Sequence, residues 1–150
     1  MIDRQRILII YLIMYISIMS KRWTSSNTAV YNLGYHLIWC PKYRRKVLIP
    51  PIDARLKELV NEVADEHGWS VKEVEVMPDH IHLFIKICPT DNIAYVVNQL
   101  KGRTSRVLRE EFPELKKRIP SLWTRSYYAE SVGCISEDTI RRYIENQKKV

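Results

Sequence analysis

Two histidines in the stretch MPDHIHLFIKI, residues 77–87, have the spacing of metal ligands. His80 and His82 lie two residues apart in an apolar run. Side chains at positions i and i+2 of a β-strand project from the same face of the sheet. Two neutral imidazoles so placed can bind one divalent ion, but they need a further ligand from elsewhere in the chain. A pair of surface histidines without a ligand is an equally open interpretation.

The last segment of the chain, TIRRYIENQKKV, offers that further ligand. Tyr143 and Gln147 are spaced i, i+4, so they share one face of a predicted helix beside the apolar stripe of Ile140 and Ile144. If this helix packs across the histidines, Gln147 can supply an oxygen to the metal and Tyr143 stands beside it. A tyrosine next to a metal that binds phosphate is a candidate nucleophile. Packing is the alternative role for any one of the nine tyrosines.

A regular series of strands and helices surrounds these residues. Strands are predicted over residues 29–40, 69–77, 80–87 and 122–132, and helices over residues 50–68, 91–111 and from Ser136 onward. The order βαββαβ plus a C-terminal helix predicts an α+β fold of the ferredoxin-like (RRM-like) type. That fold is a four-stranded antiparallel sheet with two helices on one face. Ile81, Leu83 and Ile85 should face the helices, and the histidines should face the other side.

The charge and the cysteines restrict the class of protein. The chain has 150 residues, enough for one domain, and 24 Lys+Arg against 17 Asp+Glu give a net charge of +7. A basic domain favours a polyanionic partner, first nucleic acid and second an acidic membrane surface, although charge for solubility is the simpler alternative. Three cysteines without a CxxC pair argue against a disulfide framework and favour a reducing compartment, here the cytoplasm.

Basic and aromatic residues indicate where a nucleic acid would bind. The candidate DNA-binding residues follow the first strand or line the second helix: Lys42, Arg44, Arg45, Lys46, Arg103, Arg106 and Arg109. Such side chains contact phosphates with little dependence on sequence, and a solvated surface is the alternative for each of them. Trp39, Tyr43 and Trp123 could stack on unpaired bases, with burial as the alternative for both tryptophans.

The N-terminal apolar run, residues 7–19, allows three interpretations. It is short for a membrane span, and SKRW follows it in place of a signal-peptide cleavage site. We expect residues 1–18 to be an extension upstream of the native start and residues 19–150 to form a single domain. A membrane anchor is the alternative.

The sequence resembles the single-tyrosine HUH transposases of insertion sequences that move as single-stranded DNA. The histidine–hydrophobic–histidine motif is His80-Ile81-His82, and the other similar segments are YHLIWCPKYRRKVL, LKGRTSRVLREEFPEL, LWTRSYYAESVG and DTIRRYIENQ. They occur in the family's order and extend from Val30 to Gln147. The first 18 residues match nothing in the family.

The resemblance implies a mechanism and its participants. Tyr143 matches the nucleophile that attacks a DNA phosphodiester and leaves a 5′-phosphotyrosine link and a free 3′-OH. His80, His82 and Gln147 match the ligands of a divalent metal, Mg²⁺ or Mn²⁺. The implied substrate is single-stranded DNA with subterminal hairpins, without a small-molecule substrate. The implied assembly is a homodimer in which the helices bearing the tyrosine can be exchanged.

Other functions and residues remain open at this point. The alternative function is a non-catalytic single-stranded nucleic-acid-binding module with an RRM-like fold; a metal phosphoesterase that activates water is a further one. A replication-initiator nickase usually requires a longer chain. His36 is more typical of a structural histidine, and Asp79 either closes a turn or orients a histidine. Tyr127 and Tyr128 are assigned to sheet packing.

Overall fold

The computed structural model describes residues 24–132 and 145–146, and the chain divides into two units between Asn32 and Leu33. In the first unit, β1 (Thr24–Ser25) and β2 (Val30–Tyr31) form a small antiparallel hairpin. The backbone N–H of Ser26 donates to the carbonyl of Ala29 at 2.8 Å and closes the turn between them.

The second unit contains the residues with candidate chemistry. Its elements are β3 (Gly34–Trp39), α1 (Ile52–His67), β4 (Ser70–Met77), β5 (His80–Lys86), α2 (Ile93–Glu111), α3 (Glu114–Arg118) and β6 (Tyr128–Val132). The four strands form one sheet in the order β4-β5-β3-β6, and each neighbouring pair is antiparallel. The predicted α+β architecture with a four-stranded antiparallel sheet is therefore confirmed.

The core lies between this sheet and the helices because apolar side chains alternate along the central strands. Leu37 on β3 and Ile81, Leu83 and Ile85 on β5 are each 0% exposed. They form one cluster with helix residues that include Leu56, Val60, Val97 and Leu100. Complete burial of such a side chain contributes about 1.5–3 kcal/mol. This packing determines which face of β5 meets the helices, and its histidines project from the opposite face.

The helix ends are determined by local chemistry. α1 ends at Gly68, whose φ of 72° is left-handed and therefore favours glycine, and the Gly68 N–H donates back to carbonyls of the last turn. α2 begins after Asn92, whose side chain accepts a hydrogen bond from the backbone N–H of Tyr95 at 2.9 Å. The helix predicted over residues 50–68 ends at this glycine, whereas the helix predicted from residue 91 begins slightly later in the structure.

Two predicted strands have different bounds in the structure, and one helix was not predicted. The strand predicted over residues 29–40 is divided into β2 and β3, and the strand predicted over residues 122–132 begins only at Tyr128. The segment before Tyr128 pairs instead with the residues just after β3, since the N–H of Lys42 donates to the carbonyl of Leu122 at 2.8 Å and that of Thr124 to the carbonyl of Cys40 at 3.1 Å. The short helix α3, which follows Pro113, was not predicted.

The chain ends carry predictions that the structure does not reach. None of the helices within residues 24–132 is long and apolar enough to span a bilayer. The apolar run at residues 7–19 and most of the predicted final helix lie outside the described residues. The boundary at residue 18 therefore stays a prediction.

Candidate active site

His80 and His82 lie together on the sheet face opposite the helices. We call this surface the histidine face; it carries His80, His82 and Phe84 of β5 and His36 of β3. The ring centroids of His80 and His82 are 4.7 Å apart, with the ring planes inclined at 78°. His82 is 4% exposed, while the His80 side chain retains 22% of its exposure. The alternation along β5 thus places both side chains as the sequence had predicted.

Each ring uses its Nδ1 atom for a contact within the protein. His80 Nδ1 lies 2.6 Å from the Asp79 carboxylate, and His82 Nδ1 lies 3.4 Å from Nε2 of His36. A carboxylate only accepts hydrogen bonds, so Nδ1 of His80 is the donor in this contact. Whenever the ring is neutral, its lone pair is therefore on Nε2. Histidine ligands of metals are commonly oriented in this way, with one nitrogen on a protein acceptor and the other on the ion. The arrangement therefore leaves the Nε2 atoms of both rings without a role in these two contacts.

Asp79 links His80 to an arginine from another part of the chain. Nε of Arg44 donates to the second Asp79 oxygen at 3.1 Å, so the carboxylate joins Arg44 and His80. Burial raises the pKa of Asp79, but the hydrogen bond from His80 and the charges of His80 and Arg44 together lower it below its usual range. Asp79 is thus an ionised acceptor as well as part of the turn between β4 and β5.

Burial favours the neutral imidazole form of His82 and His36, which is the form of histidine that binds metals. It lowers the pKa of His82 to about 4, and the nearby His80 and His36 add to this effect against the opposing charge of Glu75. Burial also lowers the pKa of His36, opposed by Glu130. A neutral imidazole is the ligand form, and this lowering favours it near neutral pH.

His36 also lies on this face, although the sequence had favoured a purely structural role for it. It is 5% exposed and stacks on His82 with centroids 5.6 Å apart and the rings only 13° from parallel. It pairs with Glu130 across β3 and β6, and the Tyr128 hydroxyl donates to Glu130 at 2.8 Å. The sequence contained an indication of this position, because His36 alternates with the core residue Leu37 along β3 and therefore lies on the face opposite the core.

A strained basic turn, residues 42–46, follows β3. Tyr43 and Arg44 have φ values of 58° and 52°, although neither is a glycine. The left-handed conformation costs roughly 1–2 kcal/mol for each such residue. Backbone hydrogen bonds hold the conformation, since the N–H of Arg44 donates to Pro41 at 2.8 Å and that of Leu48 to Pro78 at 3.0 Å. Arg44, Arg45 and Lys46 are exposed.

The predicted arginines of α2 lie in the helix layer, on the other side of the sheet from the histidine face. Arg103 forms two hydrogen bonds with the Glu66 carboxylate, at 3.1 and 2.8 Å. Arg109 donates to the carbonyl of Pro120 at 2.8 Å, and Arg106 is exposed. The structure therefore separates the seven predicted DNA-binding residues into two sets, and DNA contact by either set stays a prediction.

The remaining predicted site residues fall outside what the structure describes. Tyr143 and Gln147 are not among the described residues, whereas Glu145 and Asn146 between them are helical and exposed. Within residues 24–132 and 145–146, the structure contains no group of three or more His, Cys, Asp or Glu placed to hold a metal ion. The roles of Tyr143 and Gln147 therefore stay predictions.

Comparison with known families identifies the class. A family model described as "Transposase IS200 like" matches residues 29–147 of the chain. The chain belongs to this family of IS200-like transposases, which confirms the resemblance noted from the sequence. The chain is 39% identical over 120 residues to the ISDra2 transposase TnpA of Deinococcus radiodurans, a match that covers 79% of this chain and 86% of the relative.

Solved structures support the same fold. A crystal structure described as a transposase from Deinococcus radiodurans has 37% identity and a TM-score of 0.69, and the match covers 83% of this chain and 97% of that one. A REP-associated tyrosine transposase bound to a REP hairpin has a TM-score of 0.57 at 14% identity, over 84% of this chain and 74% of that one. The second likeness concerns the fold alone.

Proposed function

We propose that the chain is a DNA transposase that cleaves and rejoins single-stranded DNA at the ends of an insertion sequence. The observation that carries this proposal is that His80 and His82 of this IS200-like transposase lie together on the sheet face opposite the helices. Nδ1 of His80 is held by Asp79 and Nδ1 of His82 by His36. Such a pair can bind a divalent ion, and Tyr143 is the nucleophile that the resemblance to the family implies.

The proposed cleavage is a transesterification. The phenol oxygen of Tyr143 forms a bond to the scissile phosphorus, and the bond between phosphorus and the 3′ oxygen breaks. The phenol proton is lost and the departing oxygen takes up a proton, which leaves a 5′-phosphotyrosine and a free 3′-OH. Rejoining reverses these steps with a DNA 3′-OH as the attacking group. No high-energy cofactor is needed because one phosphodiester is exchanged for another.

The proposed ligands of the divalent metal, Mg²⁺ or Mn²⁺, are His80, His82 and Gln147. When bound, the ion would polarise the scissile phosphate and stabilise the charge that develops on its oxygens. Asp79 and His36 orient the two imidazoles toward this task through their Nδ1 atoms. The low pKa of His82 leaves it ready to bind at neutral pH without first losing a proton.

The proposed complete fold is ferredoxin-like, with a C-terminal helix that carries Tyr143 and Gln147. The strand order β4-β5-β3-β6 supports the ferredoxin-like topology. The two helices cover one face of the sheet, which leaves the histidine face as the surface on which the final helix would dock. The i, i+4 spacing of Tyr143 and Gln147 would then direct both side chains toward the histidines.

The proposed partner is single-stranded DNA with hairpin ends. The REP-hairpin complex of the structural neighbour motivates the hairpin, and the charge of +7 suits a polyanion. We further propose a homodimer, with final helices that can be exchanged between subunits, acting in the cytoplasm. The basic turn, which is joined to His80 through Asp79, would contact phosphates near the cleavage point.

A covalent-adduct assay tests this function. The protein is mixed with single-stranded hairpin oligonucleotides from the ends of its own element and Mg²⁺, and denaturing gels are examined for a protein–DNA band. We expect a band that EDTA abolishes and that His80→Ala strongly weakens. His67→Ala, which changes a histidine at the end of α1, is the matched control and should retain it. The absence of a band with every such oligonucleotide would contradict the proposed function.

A further inference from the structure

We propose that Tyr43 is a stacking platform for one unpaired base of the DNA strand. Its position in the basic turn places that base beside the histidines of the site. This inference rests on the proposed function, because it names a contact that the same single-stranded substrate would make. Nothing in the family comparison assigns a role to this side chain.

The first observation is that the Tyr43 ring is presented to solvent by a strained backbone. The residue is 67% exposed, although its φ of 58° is unfavourable for any residue other than glycine. Backbone strain of this kind persists only where surrounding contacts enforce it, and it is concentrated at binding sites. The next residue, Arg44, is also left-handed, so the turn maintains two strained residues in succession. An ordinary surface turn would use glycine or asparagine here.

The second observation is that the turn is tied directly to the candidate metal ligands. Arg44, adjacent to Tyr43, donates to Asp79 at 3.1 Å, and Asp79 holds His80 at 2.6 Å. On the other side, the N–H of Lys42 donates to the carbonyl of Leu122 at 2.8 Å. Both flanks of Tyr43 are therefore anchored, and a base stacked on its ring would have a defined position relative to His80.

The third observation concerns the chemistry around the ring. Nζ of Lys42 lies 5.6 Å from the ring centroid, and the exposed Arg45 and Lys46 follow within three residues. An aromatic face bordered by cations suits a base with its phosphate. On the histidine face itself, Phe84 is 3% exposed and offers no surface for stacking, whereas Tyr128, whose ring lies against His36, is 50% exposed. Paired bases present only their edges, so the partner is an unpaired nucleotide.

Binding to a single-stranded oligothymidine with a fluorescent label, measured by anisotropy, tests the stacking role. Tyr43→Ala should raise the Kd about 5- to 150-fold, the range for loss of one stacked base, and Tyr43→Phe should stay within about twofold of the wild type. Tyr95→Ala is the matched control, because Tyr95 is another exposed tyrosine, on the first turn of α2. It should leave the Kd unchanged. Equal affinity of Tyr43→Ala and the wild type would overturn the inference.

The salt dependence of the same Kd separates stacking from charge. Tyr43→Ala removes no positive charge, so the slope of log K against log salt should remain that of the wild type. Arg45→Gln should reduce the magnitude of that slope by about 0.7, the value for one phosphate contact on a single strand. A reduced slope in Tyr43→Ala would indicate that the substitution disturbs the basic turn rather than a stacked base, and would count against the inference.

Abasic substitution in the hairpin oligonucleotide identifies the stacked base. With the wild type, removing the base at one single-stranded position should weaken binding, and with Tyr43→Ala the same removal should have no further effect. If every abasic position affects both proteins equally, Tyr43 stacks on no base. The two proposals fail separately, since the proposed function fails when the wild type forms no covalent adduct, whatever the binding data show.

Discussion

At the scale of single residues, the site depends on how each imidazole uses its two nitrogens. His80 and His82 both engage a protein partner through Nδ1, and these contacts leave Nε2 as the atom that can bind an ion. The partners differ, since Asp79 is an ionised carboxylate and His36 is a second buried imidazole. His80 is therefore fixed mainly by charge, and His82 by burial and stacking.

The burial of His82 predicts a dependence of stability on pH. Its pKa in the folded protein is about 4, below the ordinary histidine value of 6.5, so the unfolded chain binds a proton that the folded protein excludes. The free energy of unfolding should therefore fall as the pH decreases from about 6.5 to about 4. The contribution of His82 is up to about 3 kcal/mol. Denaturant titrations of the metal-free protein across this range measure it.

A variant isolates this contribution of His82. His82→Gln replaces the imidazole with a side chain that does not titrate, so its stability should decline less over the same range of pH. Parallel curves for the wild type and His82→Gln would show that His82 is protonated equally in the folded and unfolded states.

A second prediction at this scale concerns Asp79. Asp79→Ala removes the acceptor of His80 Nδ1, so the ring should lose its preferred tautomer and orientation. Loss of such a partner typically weakens metal binding by about 10- to 100-fold. Titration calorimetry with Mn²⁺ should show this, while Asp53→Ala, a change in the first turn of α1, should bind as the wild type does. Unchanged Mn²⁺ affinity in Asp79→Ala would contradict the positioning role.

The histidine pair was predicted from the sequence, and Asp79 was left as either a turn residue or a partner of a histidine. The contacts of Arg44 with Asp79 and of His36 with His82 were not predicted. The pair is visible because it interrupts an apolar alternation within one strand. The contact between Asp79 and Arg44 spans 35 positions, and the contact between His82 and His36 spans 46. Such partners depend on how strands and turns come together, which periodicity along one segment does not reveal.

At the scale of elements, the alternation of side chains along β3 and β5 separates an apolar face, which packs against the helices, from the histidine face. The predicted orientation of β5 is confirmed because Ile81, Leu83 and Ile85 are completely buried against the helices. The start of β6 could not be predicted from its composition. Residues 122–127 contain aromatic side chains typical of a strand, but Trp123 packs edge-on against Trp39 and donates to Thr104 instead. Tertiary contacts outweighed local propensity there.

Two glycines allow a paired test of packing at this scale. A Cβ at Gly34 would lie 2.8 Å from the buried Phe84 ring, whereas a Cβ at Gly102 in α2 would meet nothing within 4 Å. Gly34→Ala should therefore destabilise the protein by about 1–3 kcal/mol, and Gly102→Ala should stabilise it by roughly 0.5–1 kcal/mol. Denaturant unfolding measures both. A stabilising Gly34→Ala would show that Phe84 is not confined on the histidine face.

The left-handed backbone of the basic turn can be tested by substitution of Tyr43. Tyr43→Gly should relieve the left-handed strain and stabilise the protein by about 1 kcal/mol, whereas Tyr43→Ala keeps a Cβ and should not. Thermal unfolding of the two variants gives the comparison. If Tyr43→Gly is no more stable than Tyr43→Ala, the turn does not hold this residue in the left-handed region.

At the scale of the whole molecule, the two faces of the sheet differ in what they contact and which residues they carry. The helices cover one face and supply the core. The other face carries the histidines and is joined to the basic turn through Asp79. Sequence alone predicted this separation, because chain order and apolar periodicity define the layers. The pairing of Arg103 with Glu66, 37 positions apart, could not be foreseen, since it depends on how α1 and α2 pack.

The most direct test of the proposed cleavage by Tyr143 is the identity and polarity of the covalent link between protein and DNA. Hairpin oligonucleotides labelled at either end are incubated with the protein and Mg²⁺, and the adduct is digested and mapped by mass spectrometry. We predict that the adduct retains the 3′ label, loses the 5′ label, carries phosphate on Tyr143 and disappears in Tyr143→Phe. An adduct that persists in Tyr143→Phe would contradict the role of Tyr143 as the nucleophile. An adduct that retains the 5′ label would contradict the 5′-phosphotyrosine link.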